Sequence, residues 1–151
     1  MKTKLVGTVE VDGLKLNFRC RKGCELQTQE MVEVAKEYHG SVKRALYDIK
    51  ILLKANAPKE LDVLVKNRIL VPGEPGKAVK EAAGLFSVLC PNVIELSASC
   101  IDEFKAGCED LETAHLEMMK LFLNELAHWA IGHGEEETDD LAYEWMLASK
   151  G

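Results

Sequence analysis

Hydrophobic and polar residues alternate along the first twenty positions of the chain. The alternation runs over residues 5–11 and resumes over 14–18, on either side of Asp12-Gly13. Alternation with a period of two is typical of a strand with one buried face. Asp-Gly is a frequent hairpin turn because both residues tolerate positive φ. The sequence therefore predicts an N-terminal β-hairpin.

Apolar residues then recur at helical spacing. Helices are predicted over 28–38 and from Ser41 to about Ala55, with Gly40 between them. Pro58 suits a first helical turn, which predicts a short helix over 59–66.

The next strong signal is the loop of Pro72-Gly73-Glu74-Pro75-Gly76. A further helix is predicted over 77–89, and a strand over 92–97. The remaining sequence predicts a long helix over about 109–131 and a last helix over 135–148.

The two C-terminal helices are separated by Gly132-His133-Gly134. With no internal repeat or low-complexity tract, these elements predict one α+β domain over residues 1–151. It comprises an N-terminal hairpin, several helices, the strand near 92–97 and a C-terminal helix pair. Six large residues of the pair are predicted to be core: Met118, Met119, Phe122, Trp129, Trp145 and Met146.

Composition narrows the class of protein. Hydrophobic residues make up 47% of the 151 positions and charged residues 29%, which is an ordinary globular balance. The net charge of −6 disfavours a nucleic-acid binder, which normally carries a basic patch. No apolar run is long enough for a signal core or a membrane span, so a cytoplasmic protein is expected.

Five cysteines are scattered along the chain, an odd number that predicts reduced thiols in an intracellular protein. They are Cys20, Cys24, Cys90, Cys100 and Cys108. The spacing of Cys20 and Cys24 leaves open a disulfide or a pair of zinc ligands.

The long helix carries the densest group of chemically active residues. Asn124 and His128 are four residues apart and Glu125 lies three before His128, so all three approach one site. This is the spacing of HExxH, in which two histidines bind zinc and the glutamate is the general base. Asn124 replaces the first histidine.

The chain from about Val93 onward resembles the catalytic half of gluzincin metallopeptidases, particularly the ImmA/IrrE-like and related minimal forms. Val93–Ser97 corresponds to the edge strand that precedes the active-site helix in that family, and 124–128 to its HELAH string. Gly132-His133 corresponds to the following turn. Glu136 and Asp140 correspond to a later ExxxD pattern.

This resemblance implies a zincin-like fold and a zinc cofactor. It implies that Glu125 is the catalytic base and that His128 and Glu136 are zinc ligands, with His133 a further ligand that compensates for position 124. Asp140 and Asn124 would contact the zinc ligands rather than the zinc, with Asp140 orienting a ligating histidine. A peptide would bind along Val93–Ser97 by strand addition.

Asparagine is a poor zinc ligand beside imidazole, so the resemblance leaves several functions open. The preferred hypothesis is a degenerate, zincin-like binding or regulatory module with a peptide or protein partner. A weakly active metal-dependent peptidase is the alternative. A structural or interaction protein would use the acidic last helix and Trp145 as its partner surface.

A di-iron carboxylate protein is a further alternative, because Glu112-Thr-Ala-His115 and Glu125-Leu-Ala-His128 are both ExxH strings. The two strings are thirteen residues apart on one predicted helix, which separates them by about 20 Å. This disfavours a dinuclear site within one chain.

Overall fold

The chain folds as an α+β protein. The computed structural model describes residues 2–54, 57–73, 75–76, 79–86, 92–132 and 134–148.

The predicted N-terminal hairpin is confirmed. Strands β1 (Lys4–Val11) and β2 (Leu14–Cys20) pair antiparallel. Asp12 and Gly13 join them with φ of 50° and 82°, the left-handed pair of angles that a tight hairpin turn needs.

The two helices that follow the hairpin are also confirmed, with shifted boundaries. Helix α1 covers Glu25–Glu37 and α2 covers His39–Leu53. The predicted break at Gly40 falls instead at Tyr38, whose φ of −99° and ψ of 40° separate the helices. The predicted end near Ala55 lies outside the described residues.

The helix predicted over 59–66 is wrong, because Glu60–Lys66 forms strand β3. Leu61, Val63 and Val65 alternate along it and are fully buried. The strand pairs parallel with β2 and with a later strand. Period-two burial and β-branched valines favour a central strand over the first-turn signal of Pro58.

The helix predicted over 77–89 is wrong for the residues that the structure describes. Strand β4 (Ile69–Val71) pairs antiparallel with β5 (Lys80–Ala82), and β6 (Gly84–Phe86) follows. Residues 77–78 and 87–89 lie outside the described part of the chain. Backbone pairing to neighbouring strands outweighs the weak helical period of this segment.

The predicted strand over 92–97 is confirmed as β7 (Val93–Ser97). It pairs parallel with β3 on one side and antiparallel with β6 on the other, in the sheet order β1-β2-β3-β7-β6. The expectation that this strand is an exposed edge is therefore wrong. A peptide cannot add to β7, since both of its edges already form backbone hydrogen bonds.

Helix α3 covers Ala98–Gly107, and the long helix α4 covers Leu111–Ile131. Asp110 caps α4, accepting a 2.7 Å hydrogen bond from the Thr113 amide. Gly132 ends α4 in the left-handed conformation, with φ of 61°. Helix α5 then covers Glu135–Met146, so the predicted C-terminal helix pair is confirmed.

Helix α4 packs its apolar side against the sheet and the other helices. The Phe122 ring lies 6.0 Å from that of Phe18 on β2, centroid to centroid. Five of the six predicted core residues are buried, and Met146 is partly buried against the core. Trp145 is fully buried and donates a 2.8 Å hydrogen bond to Asp48, so the proposal that it forms a partner surface is wrong.

Cys20, Cys24, Cys100 and Cys108, the cysteines that the structure describes, are free. Cys90 lies outside the described residues. In the described part of the chain, none of the helices has the length and apolar composition needed to cross a membrane.

Candidate functional site

Asn124 lies on the side of α4 that faces α5. Its side-chain amide donates a 2.7 Å hydrogen bond to Asp139 Oδ1 and a longer one, 3.4 Å, to Thr138 Oγ1. Thr138 is fully buried between the helices. The residue at the first zinc-ligand position of the motif therefore uses its amide to join two helices.

His128 lies one turn further along α4 and also contacts α5. Its Nε2 is 3.0 Å from Glu135 Oε1 and 3.5 Å from Thr138 Oγ1. The His128 side chain is 20% exposed, whereas that of Glu135 is 74% exposed. These contacts define a polar cluster, here called the α4–α5 clasp, made of Asn124, His128, Glu135, Thr138 and Asp139.

The acidic pair in the clasp is displaced by one residue from the predicted pair. Glu135 and Asp139 contact α4, whereas the predicted Glu136 and Asp140 are exposed on α5. One residue corresponds to about 100° around a helix, so the two pairs face different directions. The sequence contains both ExxxD strings, and buried Thr138 determines which one faces α4.

Glu125 lies on α4 next to the clasp, and its carboxyl packs against strand β6. It is 6% exposed, and its carboxyl covers Gly84: a Cβ built on that glycine would lie 2.7 Å from Glu125 Oε2. Burial raises the pKa of Glu125 from 4.5 to about 7, and the negative charge of Glu135 contributes in the same direction.

Zinc is the cofactor that the resemblance implies, and a catalytic zinc site takes three protein ligands. His128 and Glu135 lie together, but the neighbouring position offers the neutral amide of Asn124. Among the described residues there is no group of three or more His, Cys, Asp or Glu side chains that could hold a metal ion. His133 lies outside the described residues. The donor set in the described part of the chain does not fit a zinc centre.

The second ExxH string lies on the same helix as the first, so the two strings cannot form one dinuclear site within a chain. His115 instead lies between two carboxylates of α1. Its Nε2 is 3.1 Å from Glu30 and its Nδ1 is 3.0 Å from Glu37. The His115 side chain is 13% exposed.

A groove next to the clasp was not predicted from the sequence. It has a cavity volume of about 510 Å³ and runs between α4 and α5. Its walls are mainly apolar: Leu116, Lys120 and Asn124 on α4, with Asp139, Ala142, Tyr143 and Met146 on α5 and Leu147 directly after it. The spacing of four between the α4 residues was the available signal, but only the position of α5 turns that stripe into a groove.

No family model, curated protein or solved structure matches this chain. The α4–α5 clasp, Glu125 and the groove are the features of the described chain that bear on its function.

Proposed function

We propose that the chain is a zincin-related protein that has lost metallopeptidase chemistry and acts as a binding or regulatory module. The observation that supports this most is the pairing of Asn124 with Asp139 at 2.7 Å. In the motif that the chain resembles, position 124 supplies a zinc ligand. Here it donates a hydrogen bond to a carboxylate, and an N–H donor cannot bind a metal ion.

The state of Glu125 supports the same proposal. A general base must reach the water or substrate from which it takes a proton. Glu125 instead lies under Gly84, 6% exposed, with burial holding its pKa near 7. In this position the carboxyl fills space between α4 and β6.

Elemental analysis of the purified protein tests the proposal when the Asn124→His variant is measured in parallel. Both proteins are expressed with supplementary zinc. Asn67→His serves as the control because Asn67 is exposed and distant from Asn124 in the sequence. We expect zinc well below one equivalent in the natural protein and the control. We expect about one equivalent in Asn124→His, where two imidazoles one turn apart lie beside Glu135.

About one zinc per chain in the natural protein would contradict the proposal. If Asn124→His also binds no zinc, the relation to zincins loses its support, and only the binding module remains.

A second candidate function, weak peptide hydrolysis, is favoured by the pKa of Glu125 alone. A value of about 7 is in the range that suits a general base at neutral pH. Cleavage of an unstructured protein such as casein, abolished by Glu125→Gln, would support hydrolysis. The same low cleavage in both proteins would assign it to a contaminating protease.

A further inference from the structure

The groove between α4 and α5 has exposed apolar walls that the rest of the described chain leaves uncovered. Tyr143 is 64% exposed and Leu147 is 68% exposed, and both line the cavity. Its volume of about 510 Å³ falls in the range of about 300–1,000 Å³ that ligand sites occupy. Apolar surface concentrated in a concave site is typical of a binding region.

The walls are helical, which restricts how a partner can bind. Backbone amides and carbonyls inside a helix already pair with each other, so these walls offer no edge for strand addition. Recognition must use side chains. The stripe Leu116–Lys120–Asn124 extends about 12 Å, the length of roughly two helical turns. A short amphipathic helix with its apolar face in the groove matches this length.

The charge of α5 indicates which side chains the polar face of the partner's helix carries. Helix α5 has six acidic residues and no basic residue: Glu135, Glu136, Glu137, Asp139, Asp140 and Glu144. All six are exposed. Among the described residues that line the groove, Lys120 is the only base. A bound segment therefore lies beside a strongly negative surface, which favours Lys and Arg and opposes Asp and Glu.

The same charge opposes a second copy of this chain as the occupant. A symmetric dimer built on the groove would bring the acidic surfaces of two copies together. The net charge of −6 adds to this repulsion. An anionic membrane surface is opposed for the same reason.

We infer that the α4–α5 groove binds a basic amphipathic helix of a partner protein. This inference rests on the proposed function, because it names the partner class of the binding module. Apolar side chains of the partner contact Tyr143 and Leu147, and its basic side chains contact the carboxylates of α5. The α4–α5 clasp fixes the two walls relative to each other through the Asn124–Asp139 and His128–Glu135 contacts.

The test uses two labelled synthetic peptides and the full chain, with binding measured by fluorescence anisotropy. One peptide is an amphipathic helix of leucine and lysine, and the other has glutamate at every lysine position. The test variant is Tyr143→Ala/Leu147→Ala. Its matched control is Tyr47→Ala/Leu52→Ala on α2, which also removes an exposed tyrosine and an exposed leucine. Melting temperatures confirm that both variants fold.

We expect the leucine–lysine peptide to bind the natural protein and the α2 control alike. We expect the groove variant to bind at least about tenfold more weakly, and the glutamate peptide not to bind. A second variant, Asp140→Asn/Glu144→Gln, leaves the apolar walls intact. It should weaken binding several-fold and reduce its salt dependence. In NMR spectra of the natural protein, the shifts caused by the peptide should lie around Lys120, Tyr143 and Leu147.

Three results would overturn the inference. Equal binding to the groove variant and the α2 control would show nonspecific charge attraction. Equal binding of the glutamate peptide would remove the basic partner. Self-association that the groove variant abolishes would make a second copy the occupant. The zinc content of the same preparations separates the two proposals. One zinc per chain together with groove-dependent peptide binding would contradict the proposed loss of metal chemistry and leave the groove inference intact.

Discussion

The two ends of helix α4 carry the same ExxH spacing in different surroundings. Near the N-terminus, Glu112 is exposed and His115 lies between Glu30 and Glu37. Near the C-terminus, Glu125 is buried under Gly84 and His128 contacts Glu135. Local spacing is identical, so the difference arises from the elements that pack against each end. A motif therefore predicts which residues share a helix face but not which chemistry they perform.

The largest expected effect is a pH-dependent change in stability when Glu125 is replaced, which replacement of Glu112 should not show. Between pH 4.5 and about 7 the unfolded chain has lost the proton of residue 125, while folded Glu125 retains it. The folded state binds more protons in this window, so its stability falls as the pH rises through it. Glu125→Gln removes this loss and should stabilise the protein by about 3 kcal/mol at pH 8, with little effect at pH 4.5.

Urea denaturation at both pH values measures this gain. The matched change at the other end of the helix, Glu112→Gln, should alter stability by less than about 1 kcal/mol because Glu112 is exposed. Equal effects of the two substitutions at pH 8 would mean that burial does not raise the pKa of Glu125 in the folded protein.

The packing of the Glu125 carboxyl against strand β6 can be disrupted by a substitution at Gly84. Gly84→Ala places a Cβ within 3 Å of the Glu125 carboxyl and should cost about 1–3 kcal/mol. Gly107→Ala is the control, since nothing lies within 4 Å of the Cβ at that position. Urea denaturation at pH 5 keeps the carboxyl protonated in the folded state.

A double-mutant cycle with Glu125→Ala assigns the cost of Gly84→Ala to its cause. We expect the penalty to shrink when the carboxyl is absent, which gives a coupling energy of about 1 kcal/mol or more. A penalty that persists undiminished would locate the strain elsewhere in β6.

The two histidines provide the next comparison. His115 has a carboxylate at each ring nitrogen and is 13% exposed, so His115→Ala should cost about 2 kcal/mol. His128 contacts a mostly exposed carboxylate, so His128→Ala should cost about 1 kcal/mol or less. Thermal denaturation at low salt measures both, with the exposed His39→Ala as the neutral control. If His128→Ala lowered the stability more than His115→Ala, His128 would be the more important structural histidine.

The smallest effect concerns the α4–α5 clasp. Asn124→Ala removes the hydrogen bonds to Asp139 and Thr138 and should cost about 1 kcal/mol, because Asp139 remains exposed to water. Asn67→Ala, at an exposed position, should be neutral. Melting curves measure both variants, and no loss for Asn124→Ala would mean that the Asn124 hydrogen bonds do not stabilise the helix pair.

Local signals in the sequence predicted part of this fold. Asp12-Gly13 between alternating runs predicted the hairpin, and apolar spacing predicted α1, α2, α4 and α5. The strand β3 was missed because Pro58 gave a helix-start signal. Its buried alternation depends on β2 and β7 lying on either side, which only the assembled sheet reveals.

The candidate site was predictable along α4 but not across to α5. Asn124, Glu125 and His128 follow from spacing on one helix. The choice of Glu135 and Asp139 over Glu136 and Asp140 depends on how α5 rotates to bury Thr138 and Ala142. The cover of Glu125 by Gly84 joins positions 41 residues apart, a contact that no short pattern records.

The central claim is that Asn124 and His128 serve the α4–α5 clasp and not a metal. NMR of the natural protein during a zinc titration tests it most directly, because it separates these residues from incidental zinc binding by the free cysteines. We predict that the Asn124 side-chain amide and the His128 ring signals stay unchanged at one equivalent of zinc. Saturating shifts of both at one equivalent would contradict the account.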